Sequence, residues 1–276
     1  MRIDIKQYVE QEKEELKNII ETHPCAVTPR LLVLQVGNKK ESNSYISGKW
    51  NDGEDIGVEV TLVRFASKNA ATRIRKYLLE FMHEFDGIIL QEPSGLSDSE
   101  RKNILRMIAA HKDVDGFKED SWFKPCTPAG IMEILEKFYD PNDGMIATVV
   151  GRGPLVGAPL IPMLVKEGYT VLCANSRTPD LKALTSMSDV VISATGCRNL
   201  ITRDMLKDGA FVIDAGIAFD EKGKICGDCD KALYDDENID ITTVPGGVGL
   251  MTRLMLMKNV VKSWLDNPSQ NIKLGE

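Results

Sequence analysis

Short apolar runs alternate with amphipathic stretches along most of the 276 residues. Residues 5–21 place apolar side chains at helical spacing among Glu, Lys and Gln, which predicts a surface helix. Apolar runs bounded by turn residues are typical of buried strands, and the alternation indicates a mostly parallel α/β sheet. Strands are predicted at 31–36, 58–65, 87–91, 146–150, 169–174, 189–194, 211–213 and 242–244. Helices are predicted at 42–56, 70–85, 97–111 and 251–264 and from 127 onward, with Ser42 and Ser97 as N-caps.

The segment between the strands 146–150 and 169–174 carries three glycines, Gly151, Gly153 and Gly157. Strand, glycine turn, helix and strand form the unit in which a dinucleotide phosphate approaches the backbone at a helix N-terminus. The G-x-G-x-x-x-G spacing is one residue longer than the usual fingerprint, so a turn that only packs a helix on a sheet is the alternative. We expect a Rossmann-type dinucleotide-binding domain here.

Small residues end the other strands of this unit, and Thr195 with Gly196 follows one of them. In an open α/β sheet, ligands bind beyond the carboxyl ends of the strands. The turn Asn175–Thr178 contains no carboxylate that would hold the ribose 2′-hydroxyl of NAD. Arg152 and Arg177 supply positive charge for a 2′-phosphate, so NADP is the predicted cofactor and NAD the less favoured one.

The composition of the chain argues against several classes of protein. A hydrophobic share of 43% supports packed cores, and a net charge of −7 argues against a nonspecific nucleic-acid surface. No apolar run approaches the roughly 18 residues of a membrane span, and the N-terminus does not look like a signal peptide. We therefore expect a cytoplasmic protein that binds neither nucleic acid nor membrane.

No metal centre or hydrolase triad is expected from the sequence. The six cysteines are scattered through the chain, as is typical of free cytosolic thiols. Cys226 and Cys229 have C-x-x-C spacing, but the two further ligands that zinc requires are not nearby. The three histidines, His23, His83 and His111, have no convincing Ser or Cys partner motif.

Tyr45 and Lys49 stand four residues apart in a predicted helix, so both side chains lie on one face. An aromatic ring can stack on a planar heterocycle, and a desolvated lysine can become an acid or base near neutral pH. A surface Tyr–Lys pair is the alternative interpretation. Short-chain dehydrogenases also contain Tyr-x-x-x-Lys, but there the glycine turn precedes the pair, and here it follows.

Gln91 lies just past a buried strand, and Asp115 lies in the turn Asp113–Gly116. These positions allow both side chains to converge on the face that Lys49 reaches. A glutamine and a carboxylate can hydrogen-bond the amide-like edge of a heterocycle. Ordinary loop polarity for Gln91 and turn capping for Asp115 are the alternatives.

A series of short motifs occurs in order along nearly the whole chain, and their number and order matter more than any one of them. They are Leu34–Gly37, Ser42–Tyr45 with Lys49, Gly87–Gln91, Lys112–Gly116, Pro125–Pro128, Val150–Arg152, Val156–Pro159, Ser193–Gly196, and Pro245–Gly249 with Met251 and Thr252. In these motifs the chain resembles the bifunctional methylenetetrahydrofolate dehydrogenase/methenyltetrahydrofolate cyclohydrolase family, the FolD family.

The resemblance implies a role for each candidate residue. Lys49 would be the acid/base of the cyclohydrolase step, Tyr45 would stack on the folate, and Gln91 would hydrogen-bond Lys49. Asp115 would anchor the pterin edge. The implied folate-binding residues are Tyr45, Lys49, Leu90, Gln91, Asp115, Pro245, Gly246 and Gly247, of which Tyr45, Lys49, Gln91 and Asp115 are catalytic. With the patterns above, the expected cofactor-binding residues are Gly151, Arg152, Gly153, Gly157, Ser176, Arg177, Thr195, Gly196 and Ile217.

The resemblance also implies a fold of two domains. An N-terminal three-layer α/β catalytic domain, residues 1–118, would be completed by the C-terminal helix 253–276. A Rossmann-type domain, residues 119–252, would be inserted between them, with the active site in the cleft between the two domains. The Rossmann-type domain would form the contact of a homodimer.

Three positions depart from the pattern of the family. The residue after Gln91, usually apolar, is Glu92, and the usual Pro-Leu-Pro that follows is Pro93–Gly95. The glycine turn has Gly153 in place of the usual serine, which removes a hydroxyl that would face a phosphate. Leu250 replaces the usual proline before Met-Thr. These changes affect the expected shape of the folate pocket and the expected cofactor affinity, but they do not remove Lys49, Gln91 or Asp115.

The predicted activity is oxidation of 5,10-methylenetetrahydrofolate with NADP+ and hydrolysis of the methenyl product to 10-formyltetrahydrofolate, in one-carbon metabolism. The expected partners are therefore tetrahydrofolate one-carbon derivatives and a second copy of the chain. A dehydrogenase without efficient cyclohydrolase activity, or one that prefers NAD, is an alternative. A nucleotide-binding regulatory protein with a degenerate folate cleft is the alternative from another class.

Overall fold

The computed structural model describes residues 1–24, 27–38, 40–92, 94–140 and 144–267, except for the side chains at 40–42, 44 and 45. The chain divides into two compact units. The first unit contains Glu10–Cys126 and the chain from Arg253 onward, and the second unit contains Met1–Val9 and Thr127–Thr252. Our expected division, 1–118 with 253–276 and 119–252, differs from this clustering at Met1–Val9 and at 119–126.

The elements up to residue 125 are α1 (Ile5–Thr22), β1 (Arg30–Val36), α2 (Lys40–Ile56), β2 (Glu59–Phe65), α3 (Ala70–Phe81), β3 (Gly87–Leu90) and α4 (Asp98–Met107), with 3-10 turns at Met82–Glu84 and Ala110–Lys112. The three strands form a parallel sheet in the order β2-β1-β3. Leu31 pairs with Val60 on one side and with Gly87 on the other, so β1 is the central strand. It is buried from Leu31 to Val36, as its continuous apolar run predicts.

The elements from residue 126 are α5 (Cys126–Phe138), β4 (Ile146–Val150), α6 (Gly157–Lys166), β5 (Thr170–Ala174), α7 (Leu181–Ser186), β6 (Val190–Ser193), β7 (Phe211–Asp214), β8 (Ala218–Phe219), β9 (Ile225–Cys226), β10 (Asp240–Ile241) and α8 (Val248–Leu265), with 3-10 turns at Arg203–Met205 and Lys231–Asp235. Five of the strands form a parallel sheet in the order β10-β7-β6-β4-β5. Within this sheet β4 comes first along the chain, β5 pairs with it on one side, and β6 then pairs with it on the other side. In open α/β sheets, ligands bind where the strand order reverses in this way.

One edge of the five-stranded sheet is covered by the start of the chain. The N–H of Ile3 donates to the carbonyl of Ile241 at 3.0 Å, and the N–H of Ile241 donates to the carbonyl of Met1 at 2.9 Å. Residues before α1 therefore continue the sheet beyond β10. An edge strand that is covered in this way does not offer its free backbone groups to another chain.

The C-terminal half of α8 packs within the first unit. Its Trp264 is fully buried and donates from Nε1 to the carbonyl of Val27 at 3.1 Å. Asn259 donates from Nδ2 to the carbonyl of Val114 at 2.9 Å, which ties the helix to the turn that carries Asp115. The helix therefore supports the part of the first unit in which the candidate residues lie.

Most predicted strands and helices agree with the structure, and the differences concern short elements. The predicted strand 242–244 is wrong in its bounds, because the strand there is β10, Asp240–Ile241. Thr242 follows it directly: its N–H donates to the carbonyl of Val212 at 3.0 Å, and its hydroxyl accepts from the N–H of Asp214 at 2.9 Å. Ser42 lies inside α2 and is not its N-cap. The hairpin of β8 and β9 and the helix α7 have no counterpart in the prediction. None of the helices that the structure describes has the length and apolar content needed to cross a membrane.

Candidate active site

Two elements of the first unit bring Lys49 and Gln91 into contact. Lys49 lies in α2, and Gln91 follows β3, where its N–H donates to the carbonyl of Leu34 at 2.9 Å. The Lys49 Nζ donates a 2.9 Å hydrogen bond to Gln91 Oε1, and Gln91 is only 7% exposed. Gln91 Nε2 donates to the main-chain oxygen of Glu92 at 2.7 Å. The amide group is therefore held at both ends, with its oxygen toward the amine.

Asp115 and Cys126 complete a polar cluster around Lys49. Burial lowers the pKa of the Lys49 ammonium, and the Asp115 carboxylate raises it in part. Burial raises the pKa of Asp115, and the Lys49 charge opposes this. Burial and the Asp115 charge raise the pKa of the Cys126 thiol well above its usual value, so this thiol stays protonated. A lysine with a lowered pKa has a larger neutral fraction and can exchange protons nearer to neutral pH.

The other predicted folate-binding residues are placed in different parts of the chain. Tyr45 lies in α2 one helical turn before Lys49, but its side chain is outside the described residues. Leu90 is 3% exposed and packs in the hydrophobic core of the first unit. Pro245, Gly246 and Gly247 belong to the second unit, just before α8. Their contacts with folate stay predictions.

Glu92, the departure next to Gln91, neither pairs with Lys49 nor faces solvent freely. Its carboxylate forms a 2.8 Å ion pair with Arg101 Nε, and both side chains are about four-fifths buried, at 19% and 21% exposed. The same carboxylate accepts a 2.7 Å hydrogen bond from the N–H of Ser94. Arg101 lies on α4, with its guanidinium 5.1 Å from the centre of the Phe117 ring. Sequence reasoning missed this partner.

In the second unit, two of the three glycines of the turn are required by close backbone approach. A Cβ on Gly151, which has φ 101°, would lie 2.4 Å from the carbonyl oxygen of Ala194. A Cβ on Gly157 would lie 1.9 Å from the oxygen of Gly151. A Cβ on Gly153 would meet nothing within 4 Å in the described part of the chain. The absence of side chains at Gly151 and Gly157 thus lets the backbone of the turn pack closely, a cradle that side chains would fill, and the space next to Gly153 is open.

The loops after four neighbouring strands lie side by side at one edge of the sheet. The N–H of Gly151 donates to Ala174 at the end of β5, and the N–H of Ala194 donates to Val150 at the end of β4, at 2.9 and 2.8 Å. These bonds align the carboxyl ends of the parallel strands, where ligands bind in such sheets. The predicted cofactor-binding residues at these ends are Gly151 and Arg152 after β4, Ser176 and Arg177 after β5, Thr195 and Gly196 after β6, and Ile217 after β7.

The charged and polar groups of these loops are open to solvent. Arg152, Ser176 and Arg177 are exposed, and within the described ranges neither arginine forms an ion pair. The turn that carries Arg177 is fixed, because its N–H donates to the side chain of Asn175 at 2.8 Å. Ile217 is 47% exposed. These residues can receive a ligand without first breaking a salt bridge.

A pair of buried carboxylates, which sequence reasoning did not assign a role, supports this edge. Asp228 is fully buried, and its Oδ2 accepts hydrogen bonds from the N–H and the hydroxyl of Thr195 at 2.7 and 2.8 Å. Asp214 accepts from the N–H groups of Gly216 and Cys229 at 3.0 and 2.9 Å. In the sequence, Asp214 ends a short apolar run and Asp228 lies inside the C-x-x-C segment, and neither position by itself indicates this role. The two aspartates fix the loops after β6 and β7.

The C-x-x-C segment contacts this network, since the N–H of Cys229 donates to Asp214. Cys226 and Cys229 are both buried free thiols, and burial raises the pKa of Cys229 well above its usual value. Zinc needs thiolates with further ligands around them. In the portion of the chain that the structure describes, no group of three or more His, Cys, Asp or Glu side chains could hold a metal ion.

Comparison with known families agrees with both units. Residues 3–115 match the catalytic domain of tetrahydrofolate dehydrogenase/cyclohydrolase, and residues 125–267 match its NAD(P)-binding domain. The chain belongs to this family. The family assignment and the two-domain α/β architecture predicted from the sequence are therefore confirmed.

Relatives in this family cover almost the whole chain. The bifunctional protein FolD of Bacillus subtilis is 37% identical over 274 residues, which are 95% of this chain and 96% of that protein. The bifunctional protein FolD of Methylibium petroleiphilum is 39% identical over 249 residues, 86% of this chain and 87% of that protein.

Solved structures of the family have the same fold. The crystal structure of the bifunctional FolD enzyme, a methylenetetrahydrofolate dehydrogenase/cyclohydrolase, from Campylobacter jejuni has a TM-score of 0.84 and 33% identity, and covers 95% of this chain and 98% of that one. The Trypanosoma brucei FolD structure, which is complexed with NADP cofactor and an inhibitor, has a TM-score of 0.88 and 26% identity. The match covers 97% of this chain and 99% of that one.

Proposed function

We propose that this FolD-family protein oxidises 5,10-methylenetetrahydrofolate with NADP+ and then hydrolyses the 5,10-methenyl product to 10-formyltetrahydrofolate. The observation that carries the proposal is the contact of Lys49 with Gln91, beside the carboxylate of Asp115. An amine with a lowered pKa, an oriented amide and a carboxylate are the groups that proton transfer and recognition of a pterin-like edge require.

Lys49 is the proton carrier of the hydrolysis. Water adds to the methenyl carbon, the bond from that carbon to N5 breaks, and one proton from the water ends on N5 while the other is released. Burial lowers the pKa of Lys49, which lets the amine accept a proton from the attacking water and return it to N5. Gln91 holds the amine through its oxygen, and Asp115 favours the ammonium form that follows proton uptake.

The second unit is suited to hold NADP, and the bound nicotinamide would supply the hydride acceptor for the oxidation. The cradle of Gly151 and Gly157 leaves the backbone open to a pyrophosphate, at the start of α6. Arg152 and Arg177, which form no ion pair with any described residue, provide positive charge for a 2′-phosphate. Thr195, held by Asp228, and Ile217 would border the nicotinamide end, at the loops after β6 and β7.

Replacing Lys49 by methionine separates the two activities. Hydride transfer depends mainly on alignment of the folate carbon with the nicotinamide, whereas the hydrolysis needs a general acid/base worth roughly 100- to 10,000-fold. We expect Lys49→Met to lose nearly all cyclohydrolase activity, to keep more of the dehydrogenase activity and to accumulate methenyltetrahydrofolate, followed by its absorbance. A folded Lys49→Met protein that binds NADP+ and hydrolyses methenyltetrahydrofolate at close to the parent rate would contradict this role.

Steady-state assays with both cofactors discriminate among the alternatives. Reduction of NADP+ that requires methylenetetrahydrofolate supports the enzyme, and its absence favours a nucleotide-binding regulatory protein. A kcat/KM with NAD+ equal to or above that with NADP+ identifies the NAD-preferring alternative. Turnover that stops at the methenyl product identifies a dehydrogenase without efficient cyclohydrolase activity.

We also propose that the protein is a cytoplasmic homodimer that contacts its copy through the second unit. Two thiols of the second unit, Cys173 and Cys197, are exposed and unpaired, as is typical of a reducing compartment. The strand β5 lies at an edge of the sheet and is the surface we assign to the dimer contact.

A further inference from the structure

A charged clamp lies directly beside the candidate active site, at the position where this chain departs from the family pattern. Both oxygens of the Glu92 carboxylate are engaged: Oε1 by Arg101 at 2.8 Å and by the Ser94 hydroxyl at 3.3 Å, and Oε2 by the Ser94 N–H at 2.7 Å. Ser94 itself is only 5% exposed. A charge this well satisfied and mostly buried fixes the local backbone more firmly than an exposed ion pair does.

The clamp is anchored to a well-defined helix. Arg101 lies one turn into α4, whose start is fixed by a capping box between Ser97 and Glu100. Its guanidinium also lies over the ring of Phe117, 5.1 Å from the centre. Arg101 therefore has little freedom to move, and through the ion pair it limits the freedom of Glu92.

The main chain of Glu92 transmits this restraint to Gln91. The carbonyl oxygen of Glu92 accepts from Gln91 Nε2 at 2.7 Å, which turns Gln91 Oε1 toward Lys49. Were that carbonyl free to rotate, the amide could also present its NH2 group to the ammonium, which is a repulsive arrangement. The side chain of Glu92 thus acts on Lys49 through two hydrogen bonds.

We propose that Glu92 and Arg101 are positioning residues that hold Gln91 in the orientation in which its oxygen accepts from Lys49. The catalytic meaning of this orientation rests on the proposed function, but the orientation itself does not. The ion pair of Glu92 with Arg101 of α4 supplies this restraint by charge.

The sign of a pKa change separates positioning from simple electrostatics. The ionisable groups that act on the Lys49 ammonium are the Asp115 carboxyl and the Cys126 thiol, and the Glu92 carboxylate in turn acts on Asp115. Removal of the Arg101 cation alone would favour the nearby ammonium and raise the pKa of Lys49. Loss of the acceptor Gln91 Oε1 would instead disfavour the ammonium and lower the pKa.

The experiment compares Arg101→Met and Arg101→Lys with Lys102→Met as the matched control. Lys102 is an exposed cation of the same helix that, among the described residues, forms no ion pair. The pH midpoint for labelling of Lys49 by an amine-reactive reagent is measured by peptide mass spectrometry, and cyclohydrolase kcat is measured in parallel. Thermal melting and circular dichroism confirm that each variant is folded.

We expect Arg101→Met to shift the Lys49 midpoint to lower pH and to reduce cyclohydrolase kcat about five- to tenfold, with the KM for NADP+ unchanged. Arg101→Lys keeps the positive charge, so the electrostatic effect of residue 101 on Lys49 stays nearly the same. We expect the Lys49 midpoint in this variant to shift in the same direction by a smaller amount. A shift to higher pH in Arg101→Met, or values equal to those of Lys102→Met in both Arg101 variants, would overturn the proposal. If Arg101→Met does not fold, Arg101→Lys alone decides by the same criterion.

The two proposals fail in different ways. A parent protein without folate-dependent reduction of NADP+ contradicts the proposed function, yet its Lys49 labelling still tests the clamp. A fully active parent whose Arg101 variants behave like the control contradicts only the clamp.

Discussion

At the scale of single residues, Gly153 is the position in the glycine turn where the structure leaves room for a side chain. No described atom lies within 4 Å of a Cβ built there, and its φ is outside the left-handed region. Gly151 and Gly157 differ, because a side chain on either would collide with backbone oxygens. Only the middle glycine of the turn is therefore open to substitution.

We predict that Gly153→Ser lowers the KM for NADP+ by about fivefold, since one added hydrogen bond to a phosphate has a net value of about 1 kcal/mol. Gly153→Ala is the matched control, because it adds the same Cβ without the hydroxyl. Steady-state kinetics at varied NADP+ measures both. Equal KM values for the serine and alanine variants would show that no phosphate lies near this position.

The pKa of Lys49 provides a second test at this scale. Burial lowers this pKa, and the Asp115 carboxylate is the main influence that raises it. Asp115→Asn removes the raising influence and leaves the burial, so the Lys49 midpoint should move to still lower pH. Labelling of Lys49 across a pH series measures the shift directly, whether or not the variant binds folate. An unchanged midpoint would contradict a charge–charge interaction between Asp115 and Lys49.

At the scale of elements, α4 shows how a local signal fixes a functional side chain. The Ser97 hydroxyl accepts from the N–H of Glu100, and the Glu100 carboxylate accepts from the N–H of Ser97, which is a complete capping box. This box sets where the helix begins. It therefore also sets where Arg101 projects.

We predict that Ser97→Ala destabilises α4 by about 1 kcal/mol, the usual value of an N-cap, so that its amides exchange with solvent about fivefold faster. Glu100→Gln is the control, because glutamine can keep the reciprocal bond. The pKa of Glu100 is lowered mainly by its hydrogen bonds to Ser97. Its contribution is thus present at neutral pH and fades as the pH falls through that lowered value, so the effect of Ser97→Ala should shrink in acid. An effect that grows in acid would contradict the capping role.

The elements that sequence patterns predicted are those with long apolar runs. The run Leu31–Val36 can only be a buried strand, and the serine and glutamate at the start of α4 mark a helix start. The strands β8 and β9 have two residues each and no apolar run, so periodicity carries no signal for them. The conformation of such short elements is determined by tertiary contacts.

The sequence predicted those site residues whose place in a helix or at a strand end indicates their role. It did not predict the residues whose role depends on a partner distant in the sequence. Lys49 lies in a helix and Gln91 at the end of a strand, and the sequence pattern predicts both positions. The bond of Asp228 to Thr195 joins residues 33 positions apart, one after β9 and the other after β6. The pairing of Glu92 with Arg101 depends on how α4 is oriented. Neither leaves a local pattern.

At the scale of the whole molecule, the five-stranded sheet has two edges that differ. Met1 and Ile3 bond to Ile241 and so cover the edge at β10. Within the described residues, no strand pairs with the outer edge of β5. Val165, near the end of the helix α6 that precedes β5, and Met187, just after the helix α7 that follows it, are 58% and 52% exposed. An uncovered edge flanked by apolar side chains is a surface for pairing with another chain.

The pairing within the sheet determines which groups of β5 face outward. Thr170 donates toward β4, to the carbonyl of Met145, and Ala174 accepts from Gly151. In a parallel pair, every second residue directs its N–H and C=O to the same neighbour, so those of Cys173 point away from β4. Cys173 is exposed. A second copy of the chain that adds its own β5 would bond to this N–H.

We predict that Cys173→Pro converts the proposed homodimer to a monomer, because proline removes the outward N–H and leaves the bonds to β4 in place. Cys173→Ser is the control, since it changes the side chain and keeps the N–H. Sedimentation equilibrium should give twice the chain mass of 30.6 kDa for the parent and the serine variant, and one chain mass for the proline variant. Binding of NADP+ verifies that the proline variant keeps its second unit folded. A Cys173→Pro protein that binds NADP+ and remains a dimer would place the contact elsewhere on the molecule.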